Sequence, residues 1–113
     1  MRKPLVVGLL VALLATLLSA GSALSARKTV EVDDNYFVRE GDPPTVRVER
    51  YDRVVWEWEG DNPHNVTVTR GPVSFHSKTK SSGSYRKRVT RRGTYKIVCT
   101  IHRPTMRMTL RVQ

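Results

Sequence analysis

A chain of 113 residues with one cysteine and a formal net charge of +10 is long enough for one domain with a modest core. It is too short for two domains and cannot form an internal disulfide. It holds no acid pair, nucleophile triad or glycine-rich phosphate loop, so nothing in it calls for hydrolytic or phosphoryl-transfer chemistry.

The first segment, MRKPLVVGLLVALLATLLSAGSALSA, sets Arg2 and Lys3 before an apolar run from Leu5 to Leu18 and closes on small residues. That is the layout of a secretory signal peptide. The run falls short of the ~20 residues of an ordinary membrane span. Cleavage is expected between residues 23 and 26, leaving 27–113 as the working domain in an extracytoplasmic compartment, whether periplasmic, secreted or held at the envelope. An uncleaved membrane anchor is the competing expectation; a lipoprotein anchor would need a cysteine here, and there is none.

Subtracting Arg2 and Lys3 from the 20 Lys and Arg leaves 18 against 10 Asp and Glu, a net +8. All ten acids lie between Glu31 and Asp61, while residues 62–113 hold twelve Lys or Arg and no acid. Such an imbalance favours encounter with an anionic partner or surface and says nothing about fold. Nucleic acid is not the expected partner of an exported chain.

From residue 27 onward the pattern is one of short alternating strands. KTVEV puts Val30 and Val32 on one face, TVRVERY does so with Val46 and Val48, and RVVWEWE sets Val54, Trp56 and Trp58 against Glu57 and Glu59. After the Asp61-Asn62-Pro63 turn, HNVTVTR places His64, Val66 and Val68 together, with Asn65, Thr67 and Thr69 opposite. Residues 70–84 read as a loop around a short VSF segment. YRKRVT and GTYKIVCTI follow, separated at Arg91-Arg92-Gly93, and MRMTLRV closes the chain. Seven or eight such strands, with no internal repeat, predict an all-β Greek-key sandwich.

Residues two apart share a sheet face. Tyr95, Ile97 and Cys99 therefore point inward, as do Met106, Met108, Leu110 and Val112, and His64 shares the parity of Val66. Cys99, His64 and Met106 all sit at or just beyond strand ends, where loops converge at one pole of a sandwich. A thiolate, two imidazoles and a thioether form a soft mixed donor set, and two His with one Cys and a weak axial Met suit a blue copper electron-transfer site. Two His and one Cys also suit tetrahedral zinc, but zinc gains little from a thioether.

The segments NPHNVTV and GTYKIVCTIHRPTM make the chain resemble the cupredoxins, blue copper proteins of the plastocyanin and amicyanin type. The resemblance spans the region from VEVDDNYF to the last strand. It implies a cupredoxin-like sandwich holding one copper ion, with His64, Cys99, His102 and Met106 as ligands and Asn65 bracing the ligand loop. Three residues separate His102 from Met106, where amicyanin-like loops have two and plastocyanin-like loops four, so the axial distance and the potential are open.

Taken alone, a single cysteine is a small buried hydrophobe. Here it ends a strand, precedes His and Met at close spacing, and belongs to a chain in which a second His opens another strand with core parity. An unprotected thiol in an oxidising compartment is a hazard that metal binding relieves. His76, in a basic serine-rich loop, reads as solvated, and with two histidines committed it leaves no cluster for the further coppers of an oxidase or reductase. The run YRKRVTRRGTYK is either a charged edge strand or a docking face. Arg103 and Arg107, beside the ligand loop, are candidates for docking a redox protein with an acidic face. The expectation is a monomeric electron carrier and not an enzyme, with membrane contact only through a retained leader. The alternatives are a copper-binding or delivery module, and an envelope-binding sandwich with a vestigial metal motif.

Overall fold

The structure is a computed structural model that describes residues 26–38 and 43–113. The expected leader lies outside these residues apart from Ala26. Eight strands follow one another: β1 (Arg27–Asp33), β2 (Tyr36–Phe37), β3 (Thr45–Val48), β4 (Arg53–Trp58), β5 (Thr67–Arg70), β6 (Ser84–Arg88), β7 (Gly93–Val98) and β8 (Arg107–Val112). They form two four-stranded sheets, ordered β2-β1-β4-β6 and β3-β8-β7-β5. The pairs β1/β4 and β3/β8 are parallel, and the others are antiparallel. This is the all-β sandwich that the alternation predicts, with the two-residue β2 as an addition that a two-period pattern is too short to reveal.

The core lies between the sheets. Val30 and Val32 from β1, Val54, Trp56 and Trp58 from β4, Tyr95 and Ile97 from β7, and Met108, Leu110 and Val112 from β8 are all buried, as parity requires. Trp56 occupies the centre: its ring lies 6.0 Å from Phe75 and 5.8 Å from Tyr85, and its indole N–H donates to the Met108 sulfur at 3.5 Å. Each such side chain contributes roughly 1.5–3 kcal/mol through burial, so β4 and β8 are locked face to face. Tyr95 reaches out of the same core to donate its hydroxyl to the Arg91 carbonyl at 2.7 Å.

Within the strands, simple alternation fails at two residues. Val55 and Thr109 have outward parity yet are buried. Val55 sits on the inner strand β4 in register with Thr29 on one side and Arg86 on the other. Thr109 is covered where the Pro44 carbonyl accepts its backbone N–H, and its hydroxyl accepts from Lys96 Nζ at 3.1 Å.

The order of the strands fixes two poles. β1 and β4 run in parallel toward the end where β7 finishes and β8 starts. Asp34, residues 60–64, Cys99 and Met106 all follow or precede strands at that end. At the other end lie Ala26, the turn at 49–52, residues 89–92 and Gln113. There Asp52 is buried, and its carboxylate accepts the backbone N–H groups of Ala26 and Glu49 at 2.8 and 2.9 Å.

Candidate metal centre

Cys99 immediately follows β7, where the alternation that buries Tyr95 and Ile97 carries its thiol inward to complete burial. The loop after it closes on itself through three backbone bonds: His102 N–H to the Cys99 carbonyl at 3.2 Å, Met106 N–H to the His102 carbonyl at 3.0 Å, and Cys99 N–H to the Met106 carbonyl at 3.0 Å. Cys99, His102 and Met106 are thereby held within one small turn. His64 comes from the β4–β5 connection. It makes an isolated antiparallel bridge with Lys80, with backbone bonds of 2.9 and 3.0 Å, and regular strand begins only at Thr67.

These pieces meet. The ring nitrogens of His64 and His102 and the sulfur of Cys99 supply three donor atoms that all lie within 4.8 Å of one another. His64 Nδ1 is 4.0 Å from Cys99 Sγ, and the two imidazole rings are 4.9 Å apart at 56°. His64, Cys99 and Met106 are wholly buried, while His102 is partly exposed. Met108, of the same parity as Met106, has its sulfur engaged by Trp56 in the core.

The donors suit a metal ion. Bonds of about 2.0–2.3 Å from one ion to nitrogen and sulfur span the gap between His64 Nδ1 and Cys99 Sγ. His102 Nε2 is buried and has no hydrogen-bond partner among the described residues, an orphan whose burial is costly unless something satisfies it.

Asn65 has outward parity, yet it is buried, because its side chain ties the His64 segment to the cysteine loop. Its amide donates to the Thr100 and Thr79 hydroxyls at 2.8 and 3.0 Å, and its carbonyl accepts the Thr100 backbone N–H at 3.1 Å and the Thr67 hydroxyl at 2.8 Å. Four hydrogen bonds thus join Asn65 to Thr67, Thr79 and the cysteine loop. His76 is exposed and outside the cluster, as its sequence context suggests.

Asp34 was not legible in the sequence. It sits in the β1–β2 turn, thirty positions before His64, and its carboxylate oxygen Oδ1 lies 3.2 Å from His64 Nε2. The same carboxylate accepts the backbone N–H groups of Asp61 and Asn62 at 3.1 and 2.9 Å. Gly60 leaves the space: a Cβ there would come within 2.3 Å of Oδ1. Those two backbone donors, Asn62 foremost, and then His64, hold the Asp34 carboxyl below its ordinary value of 3.8. The resulting stabilisation is complete above the ordinary value and is lost as pH falls through the lowered one. With Nε2–H given to Asp34, the Nδ1 lone pair of His64 is turned toward the thiol. Carboxylate partners of metal-bound histidines commonly carry 10–100-fold of the metal affinity. Asp34→Asn is therefore expected to weaken cupric binding by about that factor, measured by competition with a chelator.

A sandwich with two His and one Cys converging at one pole is a metal-binding β-fold. The sequence model of the copper binding proteins, plastocyanin/azurin family, matches residues 26–113, and the chain belongs to that family. It is a cupredoxin, and its cofactor is a single copper ion. A sequence search of curated proteins found no match. Among solved structures, an amicyanin variant in its Cu(I) state is 25% identical over 77% of this chain and 82% of its own, with a TM-score of 0.61. A reduced form of another amicyanin variant, 23% identical, covers 83% of this chain and 89% of its own at a TM-score of 0.61. A copper-containing nitrite reductase from Thermus scotoductus SA-01 shares the fold at 23% identity and a TM-score of 0.64, over 77% of this chain. The chain spans only 22% of that enzyme's length.

Proposed function

We propose that this protein is a small exported electron carrier in which His64, Cys99 and His102 would hold copper and Met106 would add a weak thioether donor. Copper supplies a reversible one-electron change between its cuprous and cupric states. The chain's own part is to keep the donors still. The loop bonds, the Asn65 brace and the Asp34 contact fix the thiol and the His64 ring before any ion arrives, so the donor set has little to rearrange when the charge changes. The single observation that carries this reading is the meeting of three soft and borderline donor atoms within 4.8 Å in a buried pocket. A delivery module needs a labile, open site, and the complete burial of His64, Cys99 and Met106 favours a carrier instead.

The partner in this reading is another redox protein that approaches the partly exposed edge of His102. Arg103 and Arg107 are exposed beside it and suit an acidic face, and Ile101, 49% exposed, adds an apolar contact that the sequence reading did not single out. The leader at 1–26 places the carrier outside the cytoplasm, and a net positive charge keeps it monomeric. The one histidine outside the cluster, His76, is exposed, and among the described residues the ligands group only at His64, Cys99 and His102, which supports a carrier over an enzyme.

The test is to cycle the copper-loaded protein with one-electron titrants. One electron should be taken up and returned per copper without loss of the ion; release of copper on reduction would point to delivery instead. In the same experiment Met106→Leu should raise the reduction potential, because loss of a weak axial donor destabilises the cupric state more than the cuprous one. Met108→Leu should leave the potential alone and cost less than about 1.5 kcal/mol, as a near volume-conserving core change.

A further inference from the structure

The pole opposite the copper ligands carries a charge pattern that electron transfer does not use. Strands β1, β4 and β6 lie side by side, and their register sets Arg27 opposite Arg53 and Arg53 opposite Arg88. The parity that turns Val30, Val54 and Trp56 inward turns these three arginines outward, and all three are exposed. Like charges placed directly opposite on neighbouring strands are destabilising. Among the described residues, the ladder's one ion pair is Arg27 with Glu57, at 3.8 Å. A cleft of about 200 Å³ is lined by Ala26 and the three arginines. On the other sheet Arg47 opposes Arg111 at the same end, and both are exposed. Among the described residues Asp52 makes no ion pair with these arginines: it is buried, and its two oxygens accept the backbone N–H groups of Ala26 and Glu49.

An aromatic residue stands among these charges. Tyr51, at the tip of the turn between β3 and β4, is 48% exposed. Its backbone has a φ of 75°, a conformation rare outside glycine and asparagine. The Arg50 guanidinium lies 4.7 Å over its ring. The chain also enters the domain here: Ala26 is at this pole, and residues 19–25 separate it from the apolar run that ends at Leu18.

We propose that this pole is a seat for the headgroups of an anionic phospholipid bilayer, and that it turns the copper pole away from the membrane toward its redox partner. Guanidinium groups pair with phosphate through two parallel hydrogen bonds, and three in a row at the ~4.8 Å spacing of strands present a phosphate-binding strip. A tyrosine with one apolar face and a polar tip belongs at headgroup level. The apolar leader directs this pole to the membrane during export, whether or not it is later removed. A second copy of the chain does not fit, because it would bring arginines against arginines. The proposal is independent of the electron-carrier reading, since it requires the arginine pole and no copper.

Residues 26–113 contain both sheets and every core residue described, so this stretch can be tested alone. It should co-sediment with vesicles of phosphatidylcholine and phosphatidylglycerol, should not do so with phosphatidylcholine alone, and should dissociate as salt rises. Each arginine near an anionic surface contributes about fivefold, so the R27Q/R53Q/R88Q protein should bind roughly a hundredfold more weakly. A protein with three charges removed elsewhere, R70Q/K78Q/K96Q, all exposed and outside the ladder, should keep most of its binding. The ladder variant should also unfold at the same temperature as the parent or higher, since opposed charges have been removed. Equal loss in the two triple variants would reduce the effect to net charge and overturn the proposal. So would binding without preference for the anionic lipid, or a ladder variant that is less stable because its arginines serve the fold.

Discussion

Cys99→Ser is expected to remove the intense visible charge-transfer band of the cupric protein altogether. That band needs an electron-rich thiolate bound to the ion, and a hydroxyl at the same place is a hard, neutral and weak donor. Cys99 is wholly buried with its sulfur 4.0 Å from His64 Nδ1, so the substitution also leaves a buried hydroxyl beyond ordinary hydrogen-bond distance of that nitrogen, at a cost of about 1–3 kcal/mol to the copper-free protein. Cys99→Ala separates the two effects. It should lose the band just as completely while destabilising the copper-free fold less, because it buries no polar group. Visible absorption and thermal unfolding of both variants, with and without copper, check this. A Cys99→Ser protein that kept the band would move the thiolate role away from the only cysteine of the chain, which leaves it nowhere to go.

Asn65→Ala should produce the second large effect, on stability and on copper together. Four hydrogen bonds end at this side chain, and of the partners left behind Thr67 is half-buried while Thr79 and Thr100 are exposed. At about 1 kcal/mol each, less what water recovers, the loss is about 3 kcal/mol. In a domain of this size that lowers the midpoint of thermal unfolding by roughly 15 °C. The loop from Cys99 to Met106 then loses its tie to the His64 segment, so copper should leave faster, as stopped-flow transfer to a chelator would show. Asn65→Asp is the informative companion. It keeps the acceptor for Thr100 N–H and Thr67, loses the donors to Thr100 and Thr79, and should fall between the parent and the alanine variant.

The strands and the ligand loop could be read from the sequence because both are local patterns. Two-residue alternation marks Val30, Trp56, Ile97 and Leu110 as inward, and the cluster Cys99, His102 and Met106 lies within a single loop. His64 was within reach because it shares the parity of Val66. Asp34 was not, since a carboxylate in a hairpin turn meets His64 only after β1 and β4 pair in parallel, and no spacing rule connects residues thirty apart. Burial of Val55 and Thr109 was hidden for a related reason: it comes from neighbouring strands and from the Pro44 segment, which alternation along one strand does not register. Charge was read as an acidic half followed by a basic half. Folding converts this into poles, because parallel strands start at the same end. Arg27 and Arg53, from the acidic half, join Arg88 and Arg111 far from copper, while Asp34 and Asp61 come to the copper end.

In the proposed carrier, a pre-set centre of two imidazoles and one thiolate serves both oxidation states of copper. X-ray absorption at the copper edge, recorded on the loaded protein before and after reduction by one electron, tests it most directly. One sulfur and two nitrogen neighbours are expected in the inner shell in both states, with bond lengths that barely change. A shell of nitrogen and oxygen alone, or a change in the number of neighbours on reduction, would contradict it.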